Sequence, residues 1–239
     1  MAAALILSGG TGTRLGTAVP KQYIKICDRP VISFCIEVLA GHDGIGSIQI
    51  VAEEQWRGLI AESIEKYDSA GKFHGFSDPG ENRQLSIYNG LEDIRSYTDD
   101  SGVVLIHDAA RPLLSGRQIT DCLAAMDGHD GVLPVLPMKD TVYRSMDGKR
   151  IDMLLERSEL YAGQAPEAFR IGAYYEANRC LFPDRVYTIN GSTEPAIMAG
   201  MDIAMIPGYE NNFKITTTED MMRFSHIMEK RVKKEAGSI

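Results

Sequence analysis

Cysteine is scarce in this sequence and poorly placed for chemistry. The four present among 239 residues, Cys27, Cys35, Cys122 and Cys180, make no Cys-x-x-Cys pair and have no nearby histidine partner. That spacing excludes zinc clusters and dithiol redox motifs and reads as buried, reduced thiols. Long apolar runs are missing as well. The first, Ala2 to Leu7, breaks at Ser8-Gly9-Gly10, far short of the ~20 residues of a membrane-spanning helix and without the basic start of a signal peptide. The expectation is a cytoplasmic protein with no membrane partner. Positive charge is in deficit, 25 Lys plus Arg against 33 Asp plus Glu for a net charge of -8. Such a balance argues against nucleic acid as a partner and confines any phosphate chemistry to a local cleft. No internal repeat and no low-complexity linker divides the chain, so residues 1–239 read as one domain. What remains is ordinary: 44% apolar and 24% charged residues, enough to bury a core.

The apolar pattern alternates between two periods. Ala2 to Leu7 is a continuous run ending in glycines, a strand feeding a loop, and Val31, Phe34, Cys35 and Val38 then recur at helical spacing. Ser47 to Ala52 reads as a strand and Glu54 to Tyr67 as a helix. Leu85, Ile87, Tyr88, Leu91 and Ile94 form a helical stripe. Val103 to His107 and Gly131 to Leu136 read as strands around a helix from Ser115 to Met126, with Ser115 as its cap. Strands alternating with helices imply parallel crossovers, a sheet covered on both faces, and ligands beyond the carboxyl ends of the strands. After Pro137 the rhythm breaks. Thr141 to Tyr143 and Ile151 to Leu155 flank Met146-Asp147-Gly148-Lys149, a hairpin with an Asp-Gly turn, which makes 138–158 an arm inserted in an α/β chain. Gly172 to Leu181 resumes a helix, Asp202 to Ile206 a strand, and Thr217 onward a closing amphipathic helix with the basic run Lys230 to Lys234.

The first loop, Leu7-Ser8-Gly9-Gly10-Thr11-Gly12-Thr13-Arg14-Leu15-Gly16, offers backbone N–H groups that an anion can approach closely, because glycine removes the Cβ. It is no P-loop, since Gly-Lys-Ser/Thr is absent, and it lacks the dinucleotide fingerprint. The glycines alone are equally compatible with a plain turn. Arg14 and the Lys21 of Pro20-Lys21-Gln22-Tyr23 shift the reading: two cations near one glycine loop suit a triphosphate whose departing pyrophosphate gathers charge. Asp108, in His107-Asp108-Ala109-Ala110-Arg111-Pro112, stands at a strand end, where it either ligates Mg²⁺ with Arg111 gripping a phosphate or caps a turn and pairs with Arg111. His107 reads as a packed imidazole, and Lys214, taken alone, as a surface lysine.

Together these segments resemble the family of CTP-dependent sugar-alcohol phosphate cytidylyltransferases, which comprises methylerythritol 4-phosphate and ribitol 5-phosphate enzymes. The resemblance spans roughly residues 3 to 228. It is carried by the glycine loop through Arg14, Pro20-Lys21-Gln22-Tyr23, Gly80-Glu81-Asn82-Arg83 with Ser86 and Asn89-Gly90-Leu91, His107 to Pro112, Asp140-Thr141, Arg157 and Phe213-Lys214-Ile215-Thr216. It implies an α/β fold of the nucleotide-diphospho-sugar transferase type: a Rossmann-like, mostly parallel mixed sheet with helices on both faces and a β-hairpin dimerisation arm. It also implies a nucleotide site of Leu7, Ser8, Gly9, Gly10, Thr11, Gly12, Thr13, Gly80, Glu81, Arg83 and Ser86. Arg14 and Lys21 would stabilise the reacting phosphates, and Mg²⁺ would bridge them near Asp108. Asp108, Ala109, Arg111, Thr141, Arg157 and Lys214 would bind the acceptor, with Arg157 and Lys214 aiming its phosphate oxygen. The implied partners are CTP, a small polyol phosphate and a second copy of the chain.

The sequence departs from the family pattern on the acceptor side. Ala165-Pro166-Glu167 stands where most members have Thr-Pro-Gln, and Asn190-Gly191-Ser192-Thr193-Glu194-Pro195 where an acidic segment is common; Glu81 replaces a frequent Asp. His107 to Arg111 and Asp140-Thr141 resemble the methylerythritol phosphate enzymes, whereas Gln55-Trp56 and Tyr161 to Gln164 resemble the ribitol phosphate enzymes, and the reading leans slightly to the former. Two alternatives stay open: transfer of a different nucleotide to a sugar phosphate, and a nucleotide-binding regulator without turnover.

Overall fold

The structure, a computed structural model, describes residues 1–10 and 19–236. Strand β1 (Ala2–Leu7) is followed by a single 3₁₀ turn at Lys21–Tyr23, a short hairpin of β2 (Lys25–Ile26) and β3 (Arg29–Pro30), and helix α1 (Val31–Ala40). Then come β4 (Ile45–Val51), α2 (Glu54–Tyr67), β5 (Phe73–Ser77), α3 (Arg83–Arg95), β6 (Val103–Asp108), α4 (Gly116–Ala124) and β7 (Gly131–Pro137). The arm carries β8 (Tyr143–Arg144) and β9 (Met153–Leu154). The chain closes with β10 (Tyr161–Gly163), β11 (Glu167–Arg170), α5 (Ile171–Arg179), α6 (Glu194–Met198), β12 (Ile203–Pro207) and α7 (Thr218–Ala236).

The main sheet runs β10-β7-β11-β6-β1-β4-β5, with β12 also on β7. β1, β4, β5 and β6 are mutually parallel, and β12 is parallel to β7. β11 is antiparallel to β6 and β7, and β10 to β7. This is the mixed, mostly parallel sheet that the family resemblance implied. Side-chain alternation places helices on both faces: Ala2, Ala4 and Ile6 of β1 pack with Ile32, Ile36, Leu39, Ile60 and Ile119, while Ala3 and Leu5 pack with Ile87, Leu91, Ile94, Ile171 and Tyr174. Truncating a fully buried member such as Leu5 costs about 2–5 kcal/mol. α7 lies against α1 through Phe224 and Phe34, whose rings meet edge to face at 5.2 Å.

Most expected elements stand within two residues of their predicted bounds. Ser115 caps α4 in a full capping box with Gln118. The arm strands are shorter than expected, because Thr141 and Val142 precede β8 and Ile151 precedes β9. β5, β10, β11 and α6 have no counterpart in the sequence reading. The uniform description of the cysteines as buried is corrected: Cys35 and Cys122 are buried, with burial pushing each thiol up to about 12, whereas Cys27 and Cys180 are exposed. No helix among the described residues is long and apolar enough to cross a membrane.

Candidate active site

The carboxyl ends of β1, β5 and β6 open on a cavity of about 590 Å³ lined by Leu7, Gly9, Gly10, Lys21, Gln22, Glu53, Pro79, Gly80, Glu81, Asn82, Arg83, Ser86, Asp108, Ala110 and Lys214. Ligands in open α/β sheets settle there because parallel strands deliver their loops to one edge. Of the expected site residues among those described, Leu7, Gly9, Gly10, Lys21, Gly80, Glu81, Arg83, Ser86, Asp108 and Lys214 line this cavity, whereas Ser8, Ala109, Arg111, Thr141 and Arg157 do not.

The glycine loop begins under close restraint. Gln22 is buried, and its carboxamide N–H donates to the Ser8 carbonyl at 2.9 Å and the Gly10 carbonyl at 2.7 Å. The Tyr23 hydroxyl donates to the same Ser8 carbonyl at 2.8 Å and accepts from Ser8 Oγ at 2.9 Å. Trp56, read from the sequence as a mark of the ribitol phosphate enzymes, stacks on Tyr23 with centroids 4.5 Å apart and so backs the residue that holds Ser8. Ser8 is a correction: its buried side chain turns to Tyr23 and does not line the cavity. A Cβ on Gly9 would stand 2.6 Å from Pro79 Cβ, and one on Gly80 2.2 Å from Leu85 Cβ, so both positions require glycine for the walls to close. Thr11, Gly12, Thr13 and Arg14 lie outside the described residues.

The opposite wall is the start of α3. Asn82 caps it, accepting from the Leu85 N–H at 2.8 Å, and Ser86 Oγ accepts from the Gly80 N–H at 3.1 Å. A 13-residue helix thus points its positive end at the cavity, which favours an anionic ligand.

At the floor Asp108, the last residue of β6, is held by three cations: Arg83 Nη2 at 3.2 Å, Lys214 Nζ at 3.0 Å and Arg111 Nε at 3.4 Å. Burial alone would raise the Asp108 carboxyl, but Arg83, Lys214 and Arg111 outweigh it and hold the group well below the usual carboxylate range. The pairing of Asp108 with Arg111, one of the two sequence alternatives, is present within a larger cation cluster. Lys214 is no loose surface lysine. Arg111 also donates to the Asn212 carbonyl at 2.7 Å. Ala109 is a second correction: it is buried, its N–H donates to the Leu7 carbonyl at 3.0 Å, and Ala110 lines the cavity instead. Burial holds His107 down to about 4, in line with its reading as a packed imidazole.

Thr141 and Arg157 are not brought to this cavity by their own chain. Arg157 Nη1 donates to the Lys139 carbonyl at 3.0 Å at the base of the arm. Sequence reasoning assigned no role to Gln22, although it stands in the quoted Pro-Lys-Gln-Tyr stretch, nor to Glu53, Pro79, Asn82 and Ala110. Their signal was adjacency to residues already singled out.

The family model described as IspD, 2-C-methyl-D-erythritol 4-phosphate cytidylyltransferase, matches residues 2–230. A ribitol-5-phosphate cytidylyltransferase from Lactiplantibacillus plantarum is 31% identical over 95% of this chain and 98% of its own length. A 2-C-methyl-D-erythritol 4-phosphate cytidylyltransferase from Syntrophotalea carbinolica is 36% identical over 91% of this chain and 92% of its own. The crystal structure of 4-diphosphocytidyl-2C-methyl-D-erythritol synthase from Anaerococcus prevotii superposes with a TM-score of 0.81 at 23% identity, covering 96% of both chains, which establishes the shared fold.

Proposed function

The chain belongs to the IspD family of cytidylyltransferases, and from that premise we propose that it transfers CMP from CTP to a small polyol phosphate, with 2-C-methyl-D-erythritol 4-phosphate favoured as acceptor. The observation that carries this reading is the cluster of Arg83, Arg111 and Lys214 around Asp108, of which Arg83, Lys214 and Asp108 line the same cavity as Gly9, Gly10 and Lys21. An oxygen of the acceptor's phosphate attacks the α-phosphorus of CTP; the new P–O bond forms as the bond to the β-phosphate oxygen breaks, and pyrophosphate leaves. The attacking oxygen is already anionic, so the step asks the protein for no nucleophile and no base. Positioning and charge neutralisation supply the catalysis. Arg14 and Lys21 stabilise charge on the α-phosphate and leaving group, while Arg111 and Lys214 hold the acceptor phosphate.

A divalent cation fits this site in one limited way. Among the described residues no three acidic, histidine or cysteine side chains gather into a metal cage, so the triphosphate oxygens would supply most ligands and Asp108 the one carboxylate. Mg²⁺ held so would neutralise phosphate charge. Asp108→Asn should raise the Mg²⁺ concentration needed for half-maximal activity, and full activity in excess chelator would remove the metal.

A ribitol 5-phosphate acceptor is the second reading, favoured by the Lactiplantibacillus plantarum relative at 31% identity. Pyrophosphate release measured with each nucleoside triphosphate and with both acceptors decides between them. Release with UTP or GTP but not CTP would overturn the base assignment.

The active unit in this proposal is a homodimer. Tyr143, Ile151, Met153 and Leu154 of the arm are exposed, and a two-stranded hairpin is marginal in water without a partner surface. A second copy supplies that surface, and Thr141 and Arg157 then reach the neighbouring cavity.

A further inference from the structure

Glu167, the first residue of β11, is a buried carboxylate, yet it takes no part in the chemistry described above. Its carboxylate accepts from Ser192 Oγ and from Thr193 Oγ1, the latter at 2.8 Å, and stands 3.5 Å from Arg83 Nη2. Arg83 is therefore shared between two carboxylates, Glu167 and Asp108. Ser192 is fixed a second time, because the Tyr174 hydroxyl donates to its carbonyl at 2.6 Å. The two places where the sequence departs from the family pattern, around Ala165 and over Asn190 to Pro195, are thus one structure joined through Glu167.

Topology says which end of the cavity this serves. β11 runs antiparallel to β6, with Glu167 opposite Ile106, so its first residue emerges at the same edge as Asp108. β11 flanks β6 on the side away from β1. The glycine loop follows β1, whereas Glu167, the Ser192–Thr193 pair and the strand leading into the arm stand across β6 from it. Beyond that anchor Asn190 and Gly191 are exposed.

We propose that Glu167 is a positioning residue for the acceptor: by tying Ser192 and Thr193 down and drawing Arg83 away from full pairing with Asp108, it sets the wall and the charge balance of the acceptor end. A buried carboxylate can do both because it accepts at two oxygens and carries charge, whereas an amide keeps the hydrogen bond to one hydroxyl and loses the pull on Arg83. The inference rests on the proposed transfer to a polyol phosphate, and its test separates the two.

Glu167→Gln removes the charge at nearly constant shape; Ser192→Ala and Thr193→Val remove the tethers and keep the charge. Each should raise the acceptor KM about tenfold, the scale of one lost hydrogen bond to a charged group, and the two tether variants, which leave Arg83 its charge partner, should move the CTP KM less than about twofold. Hydrogen exchange at the Ser192 and Thr193 amides should quicken in the tether variants, a readout that needs no turnover. Calorimetric titration with methylerythritol 4-phosphate and with ribitol 5-phosphate should show the same tenfold weakening for the phosphate that the wild type binds. If Glu167→Gln does not fold, the two hydroxyl variants carry the test alone. A CTP KM that moves as much as the acceptor KM in the tether variants, or acceptor constants unchanged in every folded variant, overturns the role of Glu167. Wild-type protein that releases no pyrophosphate with either acceptor but shows the expected exchange and titration differences overturns the reaction and leaves the positioning role standing.

Discussion

Where β1 turns into the glycine loop, Gln22 and Tyr23 are 3% and 2% exposed and spend their polar atoms on the loop's own carbonyls. On the arm, Ile151 and Leu154 are 67% and 61% exposed, and Arg157 reaches no farther than the Lys139 carbonyl. Among the described residues, the start of the glycine loop is braced by its own chain before any ligand arrives, and the arm exposes apolar groups. Preorganisation lowers the ordering cost of binding, so the first region suits a ligand that enters a standing site. The second suits a contribution made only after assembly.

The sharpest way to break this contrast is at Lys21. Lys21→Ala should lower turnover by about 10²–10³ at saturating CTP with an unchanged thermal midpoint, the scale for losing one preorganised contact to transition-state charge. Near-normal turnover would deny the nucleotide end its catalytic part. Arg157→Ala should cost about 10² in kcat/KM for the acceptor, consistent with the loss of a charge-assisted pair. Refolded together at equal amounts, the Arg157→Ala and Lys21→Ala proteins should recover about a quarter of wild-type activity, because half the dimers are mixed and each mixed dimer holds one intact composite site. Proven heterodimers without recovery would place Arg157 in its own subunit's site.

Acid should strike the strand that both ends share. His107 on β6 is held by burial down to about 4, whereas an unfolded imidazole titrates near ~6.5. Between those values the unfolded chain binds a proton that the folded chain refuses, so stability present above pH 6.5 falls as the pH drops towards 4. The loss is on the order of 3 kcal/mol, or about 10² in the unfolding equilibrium. Urea midpoints at pH 7 and pH 4.5 should diverge less in His107→Gln than in the wild type; equal divergence would exonerate His107. Gln22→Ala should raise the CTP KM about tenfold and spare kcat, since it frees two loop carbonyls without touching the reacting atoms. A fall in kcat alone would mean the brace acts elsewhere. The smallest effect belongs to Gly148, whose φ is +69° and where a Cβ would meet no atom within 4 Å. Gly148→Ala should cost the arm about 1 kcal/mol through the backbone alone. Sedimentation should then show a dimer weakened a few-fold, with monomer stability unchanged.

The legible parts of the sequence were those with local signals. Ala2 to Leu7 could be read because its period and its terminating glycines lie next to each other, and Ser115 because a capping residue precedes its helix directly. β10 and β11 could not, since they span three and four residues with no alternating apolar pattern and pair with β7 and β6 from far along the chain. The same distance hid part of the site. Lys214 reads as a solvated lysine until the loop after β12 brings it to Asp108, and Glu167 reads only as part of a departure from the family pattern until β11 is seen to run antiparallel beside β6.

Asp108 gives the cavity a character of its own. Before substrate comes, the cluster of Arg83, Arg111 and Lys214 already has an anion in its midst. In the proposed reaction an arriving phosphate would trade places with a resident carboxylate instead of meeting bare positive charge, and Asp108 would take the cations back when product departs. Entry and exit would then be two directions of one swap between anions, which works against a doubly charged ligand becoming trapped.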